Sequence, residues 1–202
     1  MAGPAMNMRA FASLALILAA AGCSSEPRAD QRPPLAGAKI GGPFALTDQN
    51  GRAVTDKSFA GQYRIMYFGY TFCPDVCPVD VQNLAAGLKT LEARDAALAK
   101  RITPIFVSVD PERDTPAVLK QFVGAFHPRM VGLTGSPDAI AAIAQEYGVY
   151  YAKGETTPGG GYMVNHSRQA YLMDPDGKPL ALLPQDGKPA EIADEIQRWA
   201  KT

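Results

Sequence analysis

The sequence predicts an α/β domain with parallel strands first and an antiparallel edge later. Three observations carry that reading. Short apolar runs alternate with segments of helical periodicity between residues 63 and 147. Two further apolar runs, 169–173 and 180–183, flank the turn sequence Asp174-Pro175-Asp176-Gly177. A closing helical segment, 191–200, then sets Ile192, Ile196 and Trp199 on one side.

Taken in order, residues 44–46 and 53–55 flank Asp48-Gln49-Asn50-Gly51, which predicts a small N-terminal hairpin. Residues 58–62 are a connector. The run 63–70 is short, apolar and aromatic, and predicts a buried strand. Residues 79–100 place Val81, Leu84, Ala85, Leu88, Leu91 and Leu98 on a helical stripe. A second apolar strand covers 102–109 and ends at Asp110-Pro111. Thr115-Pro116 reads as a cap followed by proline at the first helical position, starting a helix that runs to about Phe126. Residues 130–133 form a third strand. Ser136-Pro137-Asp138 caps the helix 139–147, residues 149–152 are extended, and the glycine-rich stretch 153–161 reads as a flexible loop. This order resembles the thioredoxin fold: a central mixed sheet with an N-terminal hairpin and a loop inserted before the penultimate strand.

The bulk composition narrows function little. Hydrophobic residues at 47% and charged residues at 20% are those of a globular chain long enough for one core. Twenty basic residues balance twenty acidic ones, so no basic stripe points to nucleic acid. The N-terminus says more. Arg9, the apolar run 10–21 and the ending Ala20-Ala21-Gly22-Cys23 have the parts of an export signal, and the run is short for a membrane-spanning helix. The ending resembles a bacterial lipoprotein signal, in which Cys23 would be lipidated and become the mature N-terminus. Ala20 stands where leucine is more usual. The expected organisation is therefore 1–23 signal, 24–38 a polar, proline-rich tether, and 39–202 the folded domain on the periplasmic face of a membrane.

Cys73 and Cys77 remain, three residues apart at the end of the first long strand. Each precedes a proline, which disfavours the helical region for the cysteine itself. Both are thus expected on the strand-to-helix loop, with Cys77 near a helix N-terminus that favours thiolate. A bridge across three residues restrains the unfolded chain little, so the pairing looks chemical, not architectural. Ligand sites in such sheets lie beyond the carboxyl ends of the parallel strands. His166, just before the strand 169–173, would approach that edge. Two thiolates and an imidazole make a soft site suited to copper, with zinc as competitor, and three protein ligands leave room for an exchanging partner. The other candidates read as structural. His127 is a surface or helix-end histidine, Asp75 a solvated loop charge, and Asp110 and Asp114 orient loops or cap the following helix. Met66, Met163 and Met173 are core or loop methionines, with Met163 a weak extra ligand at most, and Tyr70 and Phe72 wall the site.

Three stretches together resemble the Sco/SenC family: 67–78 (Tyr-Phe-Gly-Tyr-Thr-Phe-Cys-Pro-Asp-Val-Cys-Pro), 107–116 (Val-Ser-Val-Asp-Pro-Glu-Arg-Asp-Thr-Pro) and 162–167 (Tyr-Met-Val-Asn-His-Ser). They fall in the family's order, and the likeness covers about 41–201. The resemblance implies a thioredoxin-like copper-binding assembly factor for cytochrome oxidase. It implies Cys73, Cys77 and His166 as ligands for Cu(I) or Cu(II), and a dinuclear copper site in oxidase subunit II as acceptor, alongside other periplasmic copper carriers. Asn165 departs from the aspartate of many members, which removes a charge beside the histidine. The rival reading is an enzyme, a thiol-disulfide oxidoreductase cycling a Cys73–Cys77 disulfide. Against it stand the three-residue spacer and His166 in place of the proline usual at that strand start. A thiol peroxidase would need an arginine or threonine activator near its cysteine; Thr71 qualifies loosely, but no arginine is adjacent.

Overall fold

The structure, a computed structural model, describes residues 1, 3, 32–156 and 161–201; the predicted signal and its Cys23 lie outside them. A seven-stranded sheet is built around β3 (Tyr63–Gly69) and β4 (Ile102–Ser108), which run parallel in register from Tyr63↔Ile102 to Gly69↔Ser108. Every residue of β3 is buried, Arg64 included, as befits a largely apolar strand flanked on both edges. On the far side of β4, β5 (Val131–Thr134) continues the parallel order. The hairpin β1 (Ala45–Asp48) and β2 (Ala53–Thr55) then joins β5 antiparallel. On the near side of β3, β8 (Ala170–Met173) and β9 (Pro179–Leu183) complete the order β2-β1-β5-β4-β3-β8-β9. The mixed sheet and N-terminal hairpin are those expected. The amide of Leu35 donates to Leu180 O at 3.0 Å, so the last residues of the expected tether lie against β9.

The helices are α1 (Val76–Arg94), α2 (Ala96–Lys100), α3 (Pro116–Phe126), α4 (Pro137–Glu146) and α5 (Pro189–Trp199). The apolar stripe of α1 is buried at Val81, Leu84, Ala85, Leu88 and Leu91, the valine and each leucine contributing roughly 1.5–3 kcal/mol. Gly87 lets α5 approach: a Cβ there would fall 2.5 Å from Ile192 Cγ2. The single helix expected over 79–100 is interrupted at Asp95, whose carboxylate accepts the Leu98 amide at 2.9 Å and starts α2 instead of continuing α1. Thr115 and Ser136 cap α3 and α4 as expected, accepting the Val118 and Ala139 amides.

The larger correction concerns 153–161. Residues 153–156 are strand, not loop: β6 (Tyr151–Thr156) pairs antiparallel with β7 (Tyr162–His166) in a separate two-stranded ribbon. His166 is consequently the last residue of β7, opposite Tyr151. Lys153, Gly154, Glu155 and Thr156 carry no apolar alternation, so no period marked them as a strand; pairing with β7 satisfies their backbone instead.

Candidate metal centre

β3 delivers the chain to the carboxyl edge of the sheet, and Gly69 lets it pass closely. A Cβ on Gly69 would sit 3.1 Å from Cys77 Sγ and 3.2 Å from Phe106 Cε2. The loop after it is pinned by Asp114, which is buried. Its carboxylate accepts the Thr71 amide at 3.0 Å, the Thr71 hydroxyl at 2.6 Å and the Ser108 hydroxyl at 2.6 Å. Burial raises the Asp114 pKa, against the pull of those donors. The Cys73 amide then donates to Tyr70 O, and α1 opens at Val76. Cys73 lies on the loop as expected, but Cys77 lies inside the first helical turn. Its amide, unpaired within a helix start, donates to Cys73 Sγ at 3.4 Å. Pro78 follows inside the same turn, where its missing N–H costs nothing.

The ribbon brings the third group. Tyr162 at the start of β7 is held twice: its hydroxyl donates to Asp110 Oδ1 at 2.7 Å, and its carbonyl accepts Arg113 Nη1 at 3.0 Å. Lys153 on β6 pairs with Glu112 at 2.6 Å. Val164 is buried, and the alternation that turns it inward turns Tyr162 and His166 the same way. His166 Nδ1 lies 2.8 Å from Ser167 O. A carbonyl only accepts, so Nδ1 carries the proton and Nε2 presents its lone pair. That lone pair faces Cys77 Sγ at 3.1 Å. The ligand atoms of Cys73, Cys77 and His166 all lie within 4.8 Å of one another, and they are the one such group of potential metal ligands among the described residues.

Burial sets the electrostatics. Cys73 is 8% exposed and Cys77 fully buried, and both are free thiols. The Cys77 pKa is raised, by burial first, with the Cys73 sulfur adding to it. The easily ionised thiolate expected at the helix start is thus not what Cys77 is, because desolvation outweighs the helix terminus. A bound cation would reverse that balance by its own charge. Burial also lowers the His166 pKa, which keeps the imidazole neutral and its Nε2 available. The donor set, two soft sulfurs and one imidazole nitrogen, fits Cu(I), Cu(II) or Zn(II) by softness.

Around this centre, Tyr70 packs edge-on to the His166 ring at 5.9 Å and Tyr67 at 6.4 Å. Tyr70 walls the site as expected, whereas Phe72 is half exposed beneath the Arg113 guanidinium, 4.9 Å away. Asp75 is an exposed residue preceding α1 with no cap bond. Asp110 and Asp114 are structural, as expected. Met66 and Met173 are core residues, while Met163 stands half exposed on β7. His127 follows α3 as expected but is buried. Its Nε2 lies 3.3 Å from Glu92 and its Nδ1 accepts the Arg129 amide.

Three supporting residues were not singled out from sequence. Asp80, fully buried one turn after Cys77, accepts the Tyr67 hydroxyl at 2.8 Å and two bonds from Arg168 at 2.7 and 3.0 Å. The signal was available: a carboxylate on the apolar face of α1, three residues past a ligand, needs a partner.

Fold and site together define a class: a thioredoxin-like domain with two thiols and an imidazole gathered at the carboxyl edge of its sheet, a group that could hold one soft metal ion. The SCO1/SenC sequence family matches residues 32–201, and the chain belongs to it. The SCO1 homolog 1 of Arabidopsis thaliana mitochondria is 44% identical over 71% of this chain and 42% of its own length. SenC of Rhodobacter capsulatus is 42% identical over 80% of this chain and 71% of its own. Bradyrhizobium japonicum ScoI, solved with copper bound, superposes with a TM-score of 0.72 at 43% identity, covering 79% of this chain and 99% of that one. This chain spans about half the length of the mitochondrial relatives it matches.

Proposed function

We propose that this chain is a membrane-tethered copper carrier. Cys73, Cys77 and His166 hold one copper ion and release it by ligand exchange to thiols of an acceptor, the dinuclear copper site of cytochrome c oxidase subunit II. The observation that carries the reading is the convergence of three ligand atoms within 4.8 Å, with the imidazole already in the metal-binding tautomer. The copper bound in a 43% identical relative supports the choice of metal. Lipidation of Cys23 would tether the domain at the periplasmic face; no helix among the described residues is long and apolar enough to cross a membrane.

The test is a copper titration of the reduced chain, freed of excess thiol and followed by visible absorption. One equivalent should bind with sulfur-to-Cu(II) charge-transfer bands, and the bands should vanish in Cys73→Ser, Cys77→Ser and His166→Ala. Unchanged copper binding in His166→Ala would show that the ligand set is wrong. The thiol-reductase reading has one supporting observation, the proximity of the two free sulfurs, which would allow a Cys73–Cys77 disulfide. Against it, a buried Cys77 with a raised pKa is a poor attacking thiol. Disulfide turnover that survives His166→Ala would favour it.

A further inference from the structure

Methionine is an apolar side chain that normally fills core gaps, and Met66, Met130 and Met173 do so here, each at most 5% exposed. Met163 does not. It stands 49% exposed on β7, three residues before His166, and its Sδ receives the Tyr70 hydroxyl at 3.7 Å. Tyr70 in turn packs edge-on to the His166 ring and stands beside the thiols of Cys73 and Cys77. The thioether is thus bonded to the hydroxyl of the tyrosine that walls the metal centre and belongs to a half-exposed residue, while Cys77 is fully buried. A soft sulfur donor thus stands one tyrosine away from the three-ligand site.

Resting on the copper-carrier reading, we propose that Met163 is an auxiliary ligand that takes Cu(I) at the mouth of the site during loading and release. In the release step the Cu–Sδ bond forms as the Cu–Nε2 bond to His166 breaks. Imidazole nitrogen is the hardest of the three resident donors, so it is the one Cu(I) gives up first. Copper remains Cu(I), no electron moves, and the thioether brings no charge and no proton. The Cys73 and Cys77 thiolates stay bound until acceptor sulfurs displace them. Tyr70 tunes the exchange, because its hydroxyl draws on one lone pair of Sδ and so weakens the thioether as a donor.

The experiment is anaerobic transfer of Cu(I) from the loaded full chain to the chromophoric chelator bicinchoninate. It is paired with NMR of the chain carrying ¹³C-methyl methionine. Met163→Leu should leave the Cu(I) affinity within about threefold of wild type but slow transfer about tenfold, and Tyr70→Phe should speed it. In His166→Ala, where the thioether is the remaining third donor, Cu(I) should move the Met163 methyl resonance. Adding Met163→Leu to that variant should lower affinity about tenfold. Transfer rates unaltered by Met163→Leu, with a methyl resonance that ignores Cu(I) in wild type and His166→Ala alike, overturn the proposal. If Cys73 and Cys77 still bind copper, the carrier reading survives that result; if wild type binds none, both fall.

Discussion

Replacing Arg168 with methionine is expected to cost more stability than replacing its partner Asp80 with asparagine, although Arg168 is the more exposed of the two. Arg168 is 41% exposed and Asp80 fully buried in their bidentate pair. Arg168→Met leaves a buried carboxylate with the Tyr67 hydroxyl as its remaining side-chain donor. Removing one partner of a fully buried pair costs about 3–5 kcal/mol; water entering where the guanidinium stood lowers this to about 2–4 kcal/mol. Asp80→Asn keeps an acceptor for Tyr67 and releases an arginine that solvent can reach, so its cost is about 1 kcal/mol. The double variant should resemble Asp80→Asn, because it no longer strands a charge. Urea unfolding of the reduced, metal-free chain reads the difference. With a slope of about 2 kcal/mol/M, the midpoint should fall by roughly 1–2 M in Arg168→Met and by about 0.5 M in Asp80→Asn. Equal losses, or the reverse order, would refute the claim that stability here depends on which group is left behind in the core. The same pair ties α1 just past Cys77 to the chain just past His166, so copper affinity should fall with stability in Arg168→Met.

Two further outcomes concern Asp114 and His127. Asp114→Ala strands the Thr71 amide and the hydroxyls of Thr71 and Ser108. It should destabilise by about 3 kcal/mol and weaken copper binding about tenfold by loosening the loop that carries Cys73, measured by unfolding and by competition with a copper chelator. His127 is held neutral by burial, against the pull of Glu92 and with Arg129 and Lys89 opposing its charge, so its folded pKa lies below the unfolded value of about 6.5. On acidification through that range the unfolded chain takes up the proton and the folded chain resists it. The associated stability is present above pH ~6.5 and lost below it. The drop in urea midpoint between pH 7.5 and 5.5 should be smaller in His127→Gln than in wild type, and an equal drop would show that His127 is not the group responsible.

Several features were legible in order along the chain because they rest on local physics. The buried run that becomes β3, the caps Thr115 and Ser136, the turn 174–177 and the apolar stripe of α1 need only neighbouring residues to be recognised. The three candidate ligands, Cys73, Cys77 and His166, were picked out by residue type and by the motifs around them, and the fold brings them together. The ribbon β6–β7 was not, since residues 153–156 have no periodic pattern and become a strand only through their partner.

From residue order alone came a mixed-sheet domain, a pair of cysteines at the end of a parallel strand and a histidine expected at the same edge. Only the folded chain decided that Cys77 is a buried thiol with a raised pKa, that His166 offers Nε2 through its bond to Ser167 O, and that Asp80 and Arg168 fasten the two ligand segments together. Donor type is a property of side-chain chemistry and survives in the sequence. Protonation, tautomer and desolvation depend on which groups from distant segments share a low-dielectric space, and that neighbourhood does not exist until the chain has folded.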